Sequence, residues 1–227
     1  MPPTRPGPTW ANEPVVLVHG IGHNPSAWIS LAERLEAAGF ADVHAVSYGL
    51  GADVPAIASS LDGTVTEVLR TSGEARVHVV AHSLGGVAAR YWHDVLGGRH
   101  RADATVTLGA PHSGTPWAHL GGMLRNARAI APGSSMLVEQ DDYPRWTTIG
   151  GSLDLVVPAS HAHLRTSRRI DLAGVGHAGL LTSPVVGGLV CAALLDAEHQ
   201  RAVALGATWS SRDRAPSPDH PVMPAPA

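Results

Sequence analysis

The chain has 227 residues, 44% hydrophobic and 15% charged, a globular mixture long enough for one domain with one substantial core. Its formal charge is -3 and its longest basic run is Arg168-Arg169, which argues against a nucleic-acid partner. The single cysteine, Cys191, excludes an internal disulfide, and its neighbours Leu189-Val190-Cys191-Ala192-Ala193 predict a buried small hydrophobe.

Residues 1–13 contain no apolar run and are expected to be a flexible lead. No secretory signal precedes the first strand candidate, which predicts a cytoplasmic protein, or a secreted one if a signal has been removed. Pro14-Val15-Val16-Leu17-Val18-His19-Gly20 reads as a strand buried on both faces of a parallel sheet. A helical pattern follows from Ser26 to Ala38 and stops at Gly39. Val43-His44-Ala45-Val46-Ser47-Tyr48 is the next strand, and Ala52 to Arg70 the next helix, with Pro55 near its start. Val77 to His82 is a β-branched run whose pattern turns Ala- and Leu-rich after Ser83, so a serine sits where a strand joins a helix.

Further strands are expected at Ala104–Gly109, Trp146–Gly150 and Arg169–Ala173, and a closing helix at Pro184–Ala197. Strands alternating with helices predict an α/β fold, with a mostly parallel sheet of about six strands and helices on both faces. Between Trp117 and Tyr143 the pattern weakens, leaving one helix around Ala118 to Ala129 and room for a minimal lid rather than a cap domain. The folded domain is expected over 14–212, and the Pro-rich segment 213–227 has no means of packing. No stretch reaches the roughly 18 apolar residues of a membrane span, and the sequence repeats nothing.

Around Ser83, the small residues Ala81, Gly85 and Gly86 have the spacing of a nucleophile elbow, a strained turn too tight for larger neighbours. Ala81-His82-Ser83-Leu84-Gly85 resembles the alanine-first elbow of small bacterial lipases and esterases of the α/β-hydrolase superfamily. Val18-His19-Gly20-Ile21-Gly22 resembles their oxyanion loop, and Thr107-Leu108-Gly109-Ala110-Pro111-His112-Ser113-Gly114-Thr115 is similar to a further loop of these enzymes. Asp154-Leu155-Val156-Val157-Pro158 and Gly174-Val175-Gly176-His177-Ala178-Gly179-Leu180-Leu181 resemble their acid and histidine loops.

The resemblance implies a serine hydrolase of apolar carboxylic esters that forms an acyl-enzyme. Ser83 would be its nucleophile, His177 its base and Asp154 the acid that orients the base, with backbone N–H groups of Ile21 and Leu84 as the oxyanion hole. Independently of the resemblance, Asp154 and His177 each follow a strand that ends in Gly-rich sequence, so both are expected beside Ser83 at the carboxyl edge. Rival acids are Asp141 and Asp142, one element too early; rival bases are His112, His161 and His163. The pair His161 and His163 also has metal-ligand spacing on a strand, without a third ligand nearby.

Gly20, His82, His112, Trp117, Val156 and Leu180 are the expected substrate contacts, with Trp28, Trp92, Trp146 and Leu181 as further candidates for an apolar wall. No cofactor or metal is required. The same site also suits an acyltransferase, a thioesterase or lactonase, or an eliminating enzyme of a biosynthetic pathway. A non-catalytic scaffold would have no use for these loops. Oligomeric state is not legible.

Overall fold

A computed structural model describes residues 13–119, 129–137 and 142–204. Six strands, β1 (Val15–Val18), β2 (Val43–Ala45), β3 (Val77–His82), β4 (Ala102–Leu108), β5 (Trp146–Gly151) and β6 (Arg168–Leu172), form one sheet in the order β2-β1-β3-β4-β5-β6. Every pair is parallel. The helices are α1 (Ile29–Ala37), α2 (Val54–Ser72), α3 (Leu84–Val95), α4 (Gly179–Thr182) and α5 (Pro184–Ala204).

Alternation along the strands divides the core into two layers. Val16 and Val18 of β1 face α2 and α3, whereas Val15 and Leu17 face α1 and α5. All four are at most 1% exposed, as a strand covered on both faces must be. From β1 the chain crosses outward to β2, then returns past β1 to β3. Strand order therefore reverses between β1 and β3, and their carboxyl ends frame the crevice where ligands settle in such sheets.

Most predicted boundaries shift by a few residues, for local reasons. Pro55 is the second residue of α2, a position where its missing N–H would have had no partner; Asp53 caps the helix by accepting from the Ala56 N–H. The expected first helix divides into a 3-10 turn at Pro25–Trp28 and α1, with Asn24 capping the turn. β2 is shorter than expected because, after one more bond from Val46 N–H to the Leu17 carbonyl, the chain turns to stack Tyr48 on His19. The predicted helix at Ala118–Ala129 falls largely on residues outside those described, as do the flexible lead up to residue 12 and the Pro-rich tail. Cys191 corrects its expectation: it is only half-buried, on the face of α5 beside α1, with Sγ 3.8 Å from the Arg34 carbonyl.

The closing helix outruns its apolar pattern by seven residues, to Ala204. The extension carries Glu198 and Arg201 to the amino edge of the sheet, where Arg201 pairs with the buried Glu13. Glu198 accepts from the Glu13 backbone N–H at 2.6 Å and lies 3.0 Å from the buried His78 ring. Burial, reinforced by nearby Asp103, raises the Glu13 carboxyl to about 8, outweighing the opposing attraction of Arg201.

Two consequences are measurable. The unfolded chain gives up the Glu13 proton near its ordinary value of 4.5, while the folded chain keeps it to about 8, so this group lowers stability as pH rises between those values. Glu13→Gln removes that penalty, and melting curves should show its advantage over the wild type growing from pH 5 to pH 8.5. At the start of α3, a Cβ on Gly85 would stand 2.4 Å from the His19 carbonyl oxygen and 2.5 Å from that of Val18. Gly85→Ala should cost at least about 3 kcal/mol, because backbone cannot yield as a side chain can. Melting should then fall by roughly 6 to 12 °C.

Candidate active site

Ser83 follows β3 with φ 54° and ψ -126°, and it is the one non-glycine at positive φ among the described residues. Such backbone costs on the order of 1–3 kcal/mol and persists only where its surroundings over-determine it. Here they do. The Ser83 N–H donates to the Leu108 carbonyl at 2.9 Å, and the Ser83 carbonyl accepts from the Gly86 N–H at 2.9 Å. Gly85 packs against the end of β1, and a Cβ on Gly86 would lie 2.3 Å from that of Ala110. The small residues of the elbow are thus those that let α3 leave the sheet between β1 and β4.

Two loops from later strands meet the serine. Asp154 follows β5 and His177 follows β6. His177 Nδ1–H donates to Asp154 Oδ2 at 2.7 Å, and its Nε2 accepts from the Ser83 hydroxyl at 3.0 Å. That tautomer is dictated by the carboxylate, which only accepts. Asp154 Oδ1 accepts from the Val156 and Val157 N–H groups at 2.9 and 2.7 Å, so the acid is fixed before it orients the ring. Gly109, at φ 53°, leaves room for this line: a Cβ there would stand 3.0 Å from Asp154 Oδ2 and 3.2 Å from His177 Nδ1.

The loop after β1 approaches from the other side. A Cβ on Gly20 would meet that of Ser83 at 2.8 Å. Tyr48 holds the loop by donating to the His19 carbonyl at 2.5 Å while its ring stacks on His19, 4.0 Å between centroids. His19 itself is buried, and that burial lowers its basicity. Among the described residues, the N–H groups of Ile21 and Leu84 take no acceptor from the backbone. Leu84 begins α3, so its N–H is free by position in the helix, at the helix's positive end.

These loops enclose a cavity of about 440 Å³ lined by Ile21, His23, Ser83, Leu84, Pro111, Thr115, Ala118, Ile130, Val156, Val157, His177 and Ala178. Its walls are mainly apolar. Thr115 ties two of them together: its hydroxyl donates to the Val156 carbonyl at 2.5 Å, and its N–H to the Ile130 carbonyl at 2.9 Å.

Of the expected substrate contacts, Val156 lines this cavity and Gly20 touches the serine from behind it. His82, His112 and Leu180 do not line it. His82 lies under the His177 ring, 4.6 Å between centroids, with its Nε2 3.3 Å from the His177 carbonyl. Burial, and then the neighbouring His177, push His82 down to about 3, so it stays neutral beneath that ring. His112 is wholly buried, bonded to Thr107 Oγ1 at 3.0 Å while its carbonyl accepts from Arg90. Leu180 packs in the core layer of α1 and α5. Trp28, Trp92 and Trp146 are core residues at most 3% exposed, Leu181 is buried too, and the Trp117 side chain lies outside the described part.

None of the described rival residues joins this line. Asp142 is exposed, and Asp141 lies outside the described residues. His161 faces the Gly114 carbonyl at 2.9 Å. His163 bridges Thr148 and Asp171, so the two histidines do not converge on one point. Among the described residues, one trio of metal-type side chains does converge, Glu13, His78 and Glu198. It is remote from this site, because His78 precedes Ser83 by five extended residues, roughly 16 Å, and Arg201 already neutralises it in part.

Sequence reasoning missed His23, Pro111, Thr115, Ile130 and Val157 as cavity walls, although Pro111 and Thr115 stand in a loop it singled out. It also missed Arg90. From within α3 this buried guanidinium donates to the His112 and Met136 carbonyls at 3.2 and 2.8 Å, fastening the loops behind the cavity to the elbow helix.

Comparison with known proteins agrees with this architecture. The mature form of a Bacillus licheniformis lipase superposes with a TM-score of 0.73 at 19% identity, over 82% of this chain and 94% of the lipase. A Legionella pneumophila phospholipase gives 0.68 at 15% identity, over 86% of this chain and 62% of the phospholipase. A thermophilic esterase from Thermogutta terrifontis gives 0.59 at 14% identity, over 83% and 91%. Residues 15–227 match the model of the alpha/beta hydrolase family. With that match spanning nearly the whole chain, and six parallel strands carrying a serine at the turn into α3, the chain belongs to the α/β-hydrolase family.

Proposed function

We propose that the protein hydrolyses carboxylic esters through a Ser83-His177-Asp154 triad and an acyl-enzyme. The observation that carries this reading is the unbroken hydrogen-bonded line from the Ser83 hydroxyl through His177 to Asp154, opening on an apolar cavity. A serine hydroxyl is weakly nucleophilic at neutral pH and needs a base in contact with it. His177 Nε2 takes the proton as Ser83 Oγ attacks the acyl carbon. The carbonyl oxygen becomes an oxyanion within reach of the Ile21 and Leu84 N–H groups, and the positive end of α3 favours its charge. His177 then returns the proton to the departing alkoxide, releasing the alcohol and leaving Ser83 acylated. Water, deprotonated by the same imidazole, attacks the acyl carbon; the bond to Ser83 Oγ breaks as His177 gives that proton to the oxygen, freeing the acid and restoring the serine. Asp154 remains a carboxylate throughout and stabilises the transient imidazolium.

An ester suits this cavity better than a charged or peptide-like substrate, because its walls offer few polar side chains to meet one. The family and the lipase and esterase neighbours support a hydrolase of this kind.

A profile over p-nitrophenyl acetate, butyrate, octanoate and palmitate tests the reading. Turnover should be present in the wild type and fall by about 10⁴-fold or more in Ser83→Ala. Asp154→Asn should lose on the order of 10⁴ in kcat, because an amide no longer enforces the working tautomer. Equal turnover by wild type and Ser83→Ala would overturn it.

A further inference from the structure

Among the described residues, four polar side chains stand in the cavity wall: His23, Ser83, Thr115 and His177. Ser83 and His177 bond each other, and Thr115 is bonded to the Val156 carbonyl. The His23 side chain alone among the four makes no hydrogen bond, and its ring lies 5.6 Å from the His82 ring between centroids. A polar group without a partner in an apolar wall is the kind of group that orients a ligand.

The two ring nitrogens of His23 are not equivalent. Nδ1 is sealed from solvent with no partner, whereas Nε2 is open and makes no hydrogen bond. A buried bare lone pair is tolerated more readily than a buried unpaired N–H. In the neutral ring the proton therefore belongs on Nε2, and Nε2–H is the nitrogen left to serve the cavity. The group it serves must be a hydrogen-bond acceptor.

We infer that His23 is a specificity-determining residue whose Nε2–H donates to a second oxygen of the substrate, beyond the ester being cleaved. This inference rests on the ester-hydrolase reading and narrows it: the preferred substrates are apolar esters carrying an ether, hydroxyl or further carbonyl oxygen a few bonds from the scissile carbonyl. His23 sits two residues beyond Ile21, on the loop whose N–H faces the reacting oxygen, so the second oxygen lies close to the first. A simple alkyl ester would leave the imidazole unpaired on binding and lose the corresponding interaction.

The test uses pairs of esters that differ by exchange of one methylene for oxygen, with the purified full chain. p-Nitrophenyl pentanoate against p-nitrophenyl 3-methoxypropanoate probes the acyl side, and butyl butyrate against 2-methoxyethyl butyrate probes the alcohol side. The ratio of kcat/KM within each pair is compared between wild type, His23→Phe and His23→Gln, so that differences in intrinsic ester reactivity cancel. In one of the two pairs, the preference for the oxygen-bearing ester should fall about fivefold in His23→Phe, the size of one neutral hydrogen bond. The change should appear mainly in KM, and His23→Gln, which restores an N–H donor, should recover part of it.

If His23 acted only through His82 on the catalytic ring, His23→Phe would lower both members of each pair alike. Unchanged ratios in both pairs, with Ser83-dependent turnover intact, would overturn the inference alone. A wild type with no Ser83-dependent turnover of any of the four esters would overturn the ester reading and this inference with it.

Discussion

The backbone of Ser83 is the constraint on which the site depends. A serine at φ 54° is held in a region that L-residues avoid, and the cost is met by contacts that only very small residues permit. Gly85 lets α3 touch the carbonyls that end β1, Gly86 lets it touch Ala110 beyond β4, and Gly20 lets the loop after β1 reach the serine. One strained turn thus draws together the ends of three adjacent strands. Their order in the sheet, β1-β3-β4, is the order in which a crevice opens where the connections reverse direction.

Electrostatics follow the same geometry. Asp154 has both oxygens occupied, one by two backbone N–H groups and one by His177, so the acid has little freedom to rotate. Below the His177 ring lies His82, kept uncharged by burial, which supports that imidazole without placing a positive charge beside it. His112 is similarly held well below its usual range by burial and serves as a buried strut between Thr107 and the loop that Arg90 anchors. Asp154 and His177 therefore sit among histidines that burial keeps neutral. At the far end of the strands, Glu13, Glu198 and Arg201 fasten α5 to the start of β1, separating a charged structural cluster from the site by the length of the sheet.

Much of this was readable from residue pattern. The strands announced themselves as short β-branched runs, and each functional loop began where such a run met glycine, so Ser83, Asp154 and His177 were legible in order and in edge position. What sequence could not convey was which way loop residues turn. His112 and Leu180 adjoin functional loops yet point into the core, whereas His23 and Thr115, with no periodicity to mark them, face the cavity. Those choices are made by contacts between residues 22 to 46 apart in sequence, Arg90 with His112, Thr115 with Val156 and Arg90 with Met136. The end of α5 was misjudged for a related reason: its last turns are kept by polar contacts of Glu198 and Arg201 with Glu13, which an apolar pattern does not register.

The central claim is that Ser83 becomes covalently acylated, and trapping that state tests it most directly. The wild-type protein would be mixed with excess p-nitrophenyl butyrate, quenched in acid within one turnover, digested and mapped by mass spectrometry. The account predicts a butyryl adduct on the peptide containing Ser83, absent from His177→Ala quenched at the same time. Steady turnover with no adduct, or an adduct on another residue, would contradict it.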